Sequence, residues 1–306
     1  MSESKNQNFN HLKIHSQYSI CEGAIKIDDL KDLCKKNKIK SVGLCDTQNL
    51  CGALEFAEKI SKSGTQPIIG TQINLKYAET SGLLPVYALN ETGYKRIIKL
   101  SSLSFLKNDE LSDPHLDFNE LLSDNEGVAL FSGTVYGLFG QLFDKGKFSE
   151  IDELYSKLKS RYKDRFYIEI QRHKDQNESG LEKFNLTKSL ELEIPLIATN
   201  EVFYLNKDMH EAHDALICIK NKTYITEKNR IRLSDQHYFK NNSEMAKLFV
   251  DLPEALENNY NFPFRCSFRP LFSKPNLPNI SSEKGGNADE ILKKESLEGL
   301  NNKFKK

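Results

Sequence analysis

Short apolar runs rich in β-branched residues alternate with segments of helical periodicity over the first two thirds of the chain. Such runs predict strands, and apolar residues three and four apart predict helices that pack against them. The predicted strands cover residues 12–15, 41–46, 67–75, 83–89, 128–132, 166–170 and 195–199. The predicted helices between them cover residues 28–37, 49–62, 91–104, 148–161 and 178–193. This alternation predicts an α/β fold with a largely parallel sheet.

The positions of the polar residues favour a barrel over an open sheet. Asp46, Gln72, Glu169 and Glu201 lie at or just after the ends of apolar runs, where the functional side chains of α/β barrels gather. No glycine-rich turn of the G-x-G-x-x-G or G-x-x-x-x-G-K type marks the nucleotide site of an open, doubly wound sheet. We therefore expect these four side chains to converge on one rim.

The pattern changes after residue 199. Helices are predicted at 208–220, 242–250 and 253–260, and prolines within 262–277 mark a domain edge. His210 and His213 stand at i and i+3, but no carboxylate completes an H-E-x-x-H motif, so we expect a solvated or hydrogen-bonded helix face. A last amphipathic helix is predicted at 288–304. Either it begins a further domain, so that the chain is cut short, or it docks on the surface.

Composition limits the classes of function. The chain has 306 residues, and 38% hydrophobic residues suffice for a real core. Lys plus Arg and Asp plus Glu both number 43, so the net charge predicts no unspecific attraction to nucleic acid. The basic residues within 220–232 are either a local DNA contact or a solvated face. Six cysteines without a C-x-x-C pair predict a reduced cytoplasmic protein, and no run approaches the ~18 apolar residues of a membrane span.

The strand at the start of the chain carries the clearest chemical signal, the sequence HLKIHS at residues 11–16. Alternation along a strand places His11, Lys13 and His15 on one face. Imidazoles are common metal ligands, whereas a protonated lysine has no lone pair and repels a cation. The segment is either a metal-binding strand in which lysine has replaced one ligand or a polar strand end. His173 is a second candidate for a metal or phosphate contact, although two neighbouring cations favour a surface position.

Several motifs in order resemble the bacterial replicative DNA polymerase III alpha subunits, whose first domain is a polymerase-and-histidinol-phosphatase (PHP) domain. They are HLKIHS at 11–16, CDTQNLCG at 45–52, PIIG at 67–70, NETGY at 90–94, ATNEV at 198–202 and AHD at 212–214. The resemblance runs from about residue 11 to the end. It implies a distorted seven-stranded PHP barrel at residues 1–275. It also implies that 276–306 are a linker and the first helix of a mostly absent polymerase palm region.

The resemblance also implies a set of metal-ligand positions at the barrel rim, because active members of the family hold a metal cluster there. A ligand is kept or conservatively replaced at His15, Asp46 and Glu201. Substitutions stand at Lys13, Thr47, Gln72, Leu83, Thr134 and Phe203. Since each metal of a cluster needs several donors within about 2.0–2.5 Å, we expect a degenerate site with no metal and no catalytic residue. Lys13 is expected to form a salt bridge with Asp46 or Glu201 in place of the metal.

Three functions remain open. The first is the PHP segment of a DNA-directed DNA polymerase in DNA replication, a nucleotidyltransferase that uses Mg²⁺ and binds DNA through domains beyond these residues. In it the barrel would be a scaffold for the polymerase core and a docking site for the proofreading exonuclease among other replicase subunits. The second is an active metal-dependent phosphoesterase or 3′-5′ exonuclease. The third is a free-standing binding module.

Overall fold

The computed structural model describes residues 9–108, 112–275 and 287–304. Its strands are β1 (Lys13–Ile14), β2 (Ser41–Thr47), β3 (Gln66–Tyr77), β4 (Thr80–Ala88), β5 (Leu116–Asp117), β6 (Val128–Phe131), β7 (Phe166–Ile170), β8 (Leu196–Ala198) and β9 (Glu201–Val202). Its helices are α1 (Ile27–Asn37), α2 (Ala53–Lys62), α3 (Glu91–Leu106), α4 (Phe118–Ser123), α5 (Leu138–Asp144), α6 (Phe148–Tyr162), α7 (Glu178–Leu192), α8 (His210–Asn221), α9 (Asn242–Leu248), α10 (Pro253–Asn261) and α11 (Ala288–Phe304). Short 3₁₀ turns lie at Lys163–Arg165, Lys207–Met209 and Phe262–Arg265.

The sheet curls into a distorted barrel, as the resemblance implied, but its path contains eight strands instead of the expected seven because the short β9 is added at one edge. Its strand order is β8-β7-β6-β4-β3-β2-β1-β9, and β5 pairs with β3 to one side. The first and last strands of this order, β8 and β9, are separated in the chain only by Thr199 and Asn200. Because consecutive residues connect the two edges, the sheet nearly closes on itself.

All seven predicted strands are present, but the sheet is less parallel than predicted. β4 runs antiparallel to both of its neighbours, β3 and β6. The reason is local: β3 and β4 are longer than their apolar runs indicated, and only Ala78 and Glu79 separate them. A connection of two residues can join only antiparallel strands.

The position of β1 depends on a glycine in β2. A Cβ on Gly43 would meet the backbone oxygen of Leu12 at 2.2 Å, and the Gly43 N–H donates to the carbonyl of His11 at 2.8 Å. Glycine therefore lets the two backbones approach closely. On its other side β1 pairs with β9, with Lys13 opposite Glu201.

The barrel interior is filled in layers. A buried aromatic layer contains Tyr87, Phe131 and Tyr167, and Phe262 packs against all three from the segment after α10. Glu169 lies two positions after Tyr167 in β7 and therefore points to the same side of the strand. A polar layer thus follows the apolar one towards the carboxyl ends of the parallel strands. Two larger apolar clusters join the outside of the sheet to the helices.

Helices α8, α9, α10 and α11 lie close to their predicted positions. One compact unit ends at Leu271, and α11 belongs to a second unit. All six cysteines are free thiols. Within the described ranges, no helix combines the length and the apolar character that crossing a membrane requires.

Candidate functional site

Lys13 is fully buried in the polar layer of the barrel. Its Nζ lies 3.3 Å from Glu201 Oε1 and 3.8 Å from Glu169 Oε1. Burial opposes the charge, but the two carboxylates outweigh it and raise the pKa of the Lys13 ammonium above its usual value. None of its contacts with the described residues has the geometry of a hydrogen bond. Its ammonium group therefore forms ion pairs with one carboxylate on β7 and one on β9.

Glu201 is the centre of the network. Its Oε1 accepts a hydrogen bond from Gln72 Nε2 at 2.9 Å and lies 3.0 Å from His15 Nε2. Burial alone would raise the pKa of this carboxyl group, but Lys13 and His15 hold it well below its ordinary range. The expected salt bridge between Lys13 and Glu201 is present.

Asp46 takes a different role from the one expected, because hydroxyl and backbone donors bind it instead of Lys13. Its Oδ1 accepts from the Ser16 N–H and the Ser19 hydroxyl, both at 2.7 Å, and its Oδ2 accepts from the Ser16 hydroxyl at 2.8 Å. The Ser19 hydroxyl also lies 3.2 Å from His15 Nδ1. Asp46 therefore fixes the turn after β1, a role that the serines themselves could have indicated.

Replacing Asp46 with asparagine is expected to destabilise the fold by about 1.5–3 kcal/mol, the range for hydrogen bonds to a charged group. The amide keeps one acceptor oxygen for the three donors and brings an N–H₂ group against hydroxyls that now donate. Urea unfolding measures the loss. The matched control is Asp117→Asn, at an exposed residue whose side chain makes no capping bond. Equal stabilities of the two variants would contradict the role given to Asp46.

The remaining positions implied by the resemblance surround one cavity above this network. Thr47, Gln72, Leu83, Thr134, Glu201 and Phe203 all line it. The Phe203 ring stacks on His15, with centroids 4.4 Å apart and planes at 22°. Thr47 donates a hydrogen bond to Glu22 at 2.5 Å. The structure thus brings all nine positions, and Glu169, to one end of the barrel.

These residues do not fit a metal cluster. The Lys13 ammonium occupies the space between the carboxylates of Glu169 and Glu201. The Asp46 carboxylate already accepts three hydrogen bonds. Phe203 covers one face of His15 with an apolar ring that offers no ligand atom. A metal ion between these carboxylates would be repelled by Lys13 and would find too few ligand atoms.

His173 is buried, so the expectation of a surface position was wrong. Together with Asp175 and His237 it forms a group of potential metal ligands, whose donor atoms lie within 4.8 Å of one another. The two imidazole planes are stacked at 4° with centroids 4.1 Å apart. A metal in the plane of one ring lies out of the plane of the other, so both rings cannot coordinate it in these orientations.

The stacked histidines instead hold the backbone of β9. His173 Nε2 accepts from the Glu201 N–H at 3.1 Å, and His237 Nδ1 lies 3.2 Å from the Glu201 carbonyl oxygen. Asp175 lies 2.9 Å from His237 Nε2. Burial and the neighbouring His237 keep the pKa of His173 well below its usual value. Sequence reasoning missed Asp175 and His237, because no local motif connects them with residue 201.

Helix α8 and the loop after it are tied to the barrel by hydrogen bonds and ion pairs. The imidazoles of His210 and His213 contact the carbonyl oxygens of Leu233 and Glu22 at 3.1 and 2.7 Å, so this face is hydrogen-bonded as expected. In the basic cluster, Arg230 makes a bidentate pair with Asp214 at 2.6 Å. Part of that cluster is therefore neutralised within the chain.

The curled sheet, its surrounding helices and the polar side chains gathered at one end of the barrel are typical of one class of protein. The sequence profile of the PHP domain family matches residues 11–173, and the chain belongs to this family.

Curated relatives extend the match over almost the whole chain. The chain is 35% identical to a DNA polymerase III subunit alpha of Caulobacter vibrioides over 98% of its length, and 38% identical to that of Rickettsia conorii over 95%. A third, from Borreliella burgdorferi, is 33% identical over 97% of the chain. The chain spans about a quarter of the length of these relatives.

Solved structures resemble the fold at low sequence identity. A protein from Bifidobacterium adolescentis, provisionally assigned as a metal-dependent phosphoesterase, superposes with a TM-score of 0.42 at 10% identity. It covers 63% of this chain and 86% of its own. An amidohydrolase from Chromobacterium violaceum gives a TM-score of 0.41 at 9% identity, with 63% and 87% covered.

Proposed function

We propose that the chain is the PHP segment of a replicative DNA-directed DNA polymerase, a DNA polymerase III alpha subunit. In this proposal the barrel carries out no hydrolysis and serves as a scaffold for the polymerase core. The alignment with alpha subunits over nearly the full chain supports the assignment. We place the nucleotidyltransferase carboxylates and their Mg²⁺ in the part of the relatives that this chain does not match.

One observation carries the scaffold proposal, the burial of Lys13 between Glu169 and Glu201. The Lys13 ammonium supplies the positive charge that a metal ion would otherwise supply. Unlike a metal ion that activates water, it needs no set of ligand side chains. His15, Asp46 and Glu201 then persist as structural hydrogen-bond partners. The substitutions at Thr47, Gln72, Leu83, Thr134 and Phe203 are tolerated because no metal has to be bound.

The wider organisation belongs to the same proposal. Residues 1–275 are the PHP domain, and 276–306 are a linker and the first helix of the palm region. The first part of that linker, 276–286, lies outside the described residues. We propose the proofreading exonuclease and other replicase subunits as partners, DNA as the substrate bound by the further domains, and the cytoplasm as the location.

Elemental analysis of the purified chain is expected to find no stoichiometric metal, and nuclease and phosphatase assays with Mn²⁺ or Zn²⁺ are expected to show no turnover. The positive control is a variant with histidine restored at four positions: Lys13→His, Thr47→His, Leu83→His and Phe203→His. A folded restored variant should gain metal, because it regains neutral imidazole donors and loses the ammonium. Stoichiometric metal with hydrolysis in the natural chain would overturn the proposal and favour an active phosphoesterase.

A further inference from the structure

The cavity at the mouth of the barrel has a volume of about 180 Å³ and is lined by both apolar and polar side chains. Its walls are largely apolar and include Leu83, Phe203, Ile217 and Leu233. Glu201 lines it at the junction with the polar network. A cavity slightly smaller than this one holds a benzene molecule in an engineered protein core. The space therefore suits a flat ligand of about one ring and a short substituent.

The Glu201 carboxylate leaves one oxygen available to this cavity. Its Oε1 is occupied by Gln72 and His15 and lies nearest to Lys13. Its Oε2 makes no hydrogen bond with the described residues. This atom is also not fully buried, since it does not belong to the buried side-chain atoms that lack a partner in the described residues. The Glu201 side chain is only 7% exposed and lines the cavity, so a ligand in the cavity can reach this oxygen.

The charge balance below the cavity favours a cation as the ligand's polar group. Lys13 contributes one positive formal charge and His15 at most one more, while Asp46, Glu169 and Glu201 contribute three negative ones. Glu22 and Lys220, which also line the cavity, neutralise each other in an ion pair. The buried network is therefore left with net negative charge, and a charge-assisted hydrogen bond to a free carboxylate oxygen is among the stronger polar contacts.

We propose that this cavity is a binding site for a small molecule that combines a flat apolar body with a cationic amine or amidine group. The ring lies between Leu83 and Phe203, and the cationic group donates to Glu201 Oε2. A phosphate group does not suit apolar walls beside a carboxylate. A bare metal ion would find too few ligand atoms, whereas an ammonium needs only the free oxygen of Glu201 and can lie on the side away from Lys13.

The test uses three probes of similar shape, benzylamine, toluene and benzoate, titrated into the full chain and followed by protein NMR. Benzylamine is expected to bind saturably, at least about tenfold more tightly than toluene, since a charge-assisted hydrogen bond is worth about 1.4 kcal/mol or more. Benzoate is expected to bind more weakly than toluene. Absence of saturable benzylamine binding, or equal affinity for benzylamine and benzoate, would overturn the proposal.

Two tryptophan variants locate the binding. Ile231→Trp fills the mouth of the cavity at a residue that is 58% exposed, and it should weaken benzylamine binding by at least about tenfold. Ile98→Trp is the matched control, at a residue of α3 that is 42% exposed and does not line the cavity. Glu201→Gln should remove the preference for benzylamine over toluene. If that variant does not fold, the tryptophan pair decides, and equal loss in both would overturn the proposal.

Discussion

Replacing Lys13 with alanine is expected to destabilise the protein by about 3–5 kcal/mol, the cost of leaving a buried charge without its partner. Glu169 and Glu201 would then face each other in the barrel interior with no positive charge between them. Loss of Lys13 raises the pKa of Glu201 from the low value that the ammonium maintains, so protonation of this carboxylate recovers part of the lost stability. Urea unfolding followed by circular dichroism measures the free energy of unfolding.

The matched control for this prediction is Lys157→Ala, which removes a lysine from an exposed pair with Glu153 on α6. Exposed pairs of this kind contribute about 0.3–0.5 kcal/mol. The combined variant Lys13→Met, Glu169→Gln and Glu201→Gln should recover much of the stability lost in Lys13→Ala, because it removes the charges together. Equal effects at Lys13 and Lys157 would contradict the central place given to the buried lysine.

The free energy of unfolding is expected to fall as the pH is lowered from about 7.5 to about 5, and two histidines account for a large share. Burial lowers the pKa of His11 to about 3 and that of His213 to about 4, from 6.5. Below pH 6.5 the unfolded chain binds protons at these residues that the folded chain does not, so acid favours unfolding. Each histidine contributes about 2 kcal/mol of lost stability at about pH 5.

Denaturant unfolding at several pH values measures this slope, and His11→Gln and His213→Gln should each flatten it. Glu201 acts in the same direction at lower pH, because its depressed pKa makes the stability it contributes disappear only as the carboxylate takes up a proton. Above about pH 7.5 these histidines are neutral in both states, and no change is expected from them. A pH slope that stays the same in both glutamine variants would contradict the assignment.

The strands could be predicted because each buried run is short, apolar and β-branched, and all seven were found. The antiparallel direction of β4 could not be predicted. It depends on a two-residue turn, and the apolar runs on either side of this turn are shorter than the strands that contain them. Strand β9, with two residues, is too short for any periodicity. The terminal helix lies at its predicted bounds, but the expected amphipathic pattern was wrong, because its apolar residues are spread around the helix and none is buried.

The residues of the site could be predicted from the sequence, but only some of the contacts between them could. Glu169 and Glu201 could be expected at one rim because both follow apolar runs, and Lys13 reaches both. Asp46 was expected beside Lys13. The sequence does not show which of several nearby donors binds a carboxylate, and in the structure Ser16 and Ser19 bind this one. His173 looked exposed because its immediate neighbours are charged, whereas its burial depends on His237, far along the chain.

The pairing of β1 with β9 sets an order for synthesis on the ribosome. Strand β1 emerges before the other strands of the sheet, but its partner β9 appears only after the seven strands between them have been made. Until then Lys13 has neither Glu169 nor Glu201 beside it and stays in water with its full hydration. The barrel therefore closes, and its interior charge pairs form, as a late step of folding that requires residues from both ends of the sheet.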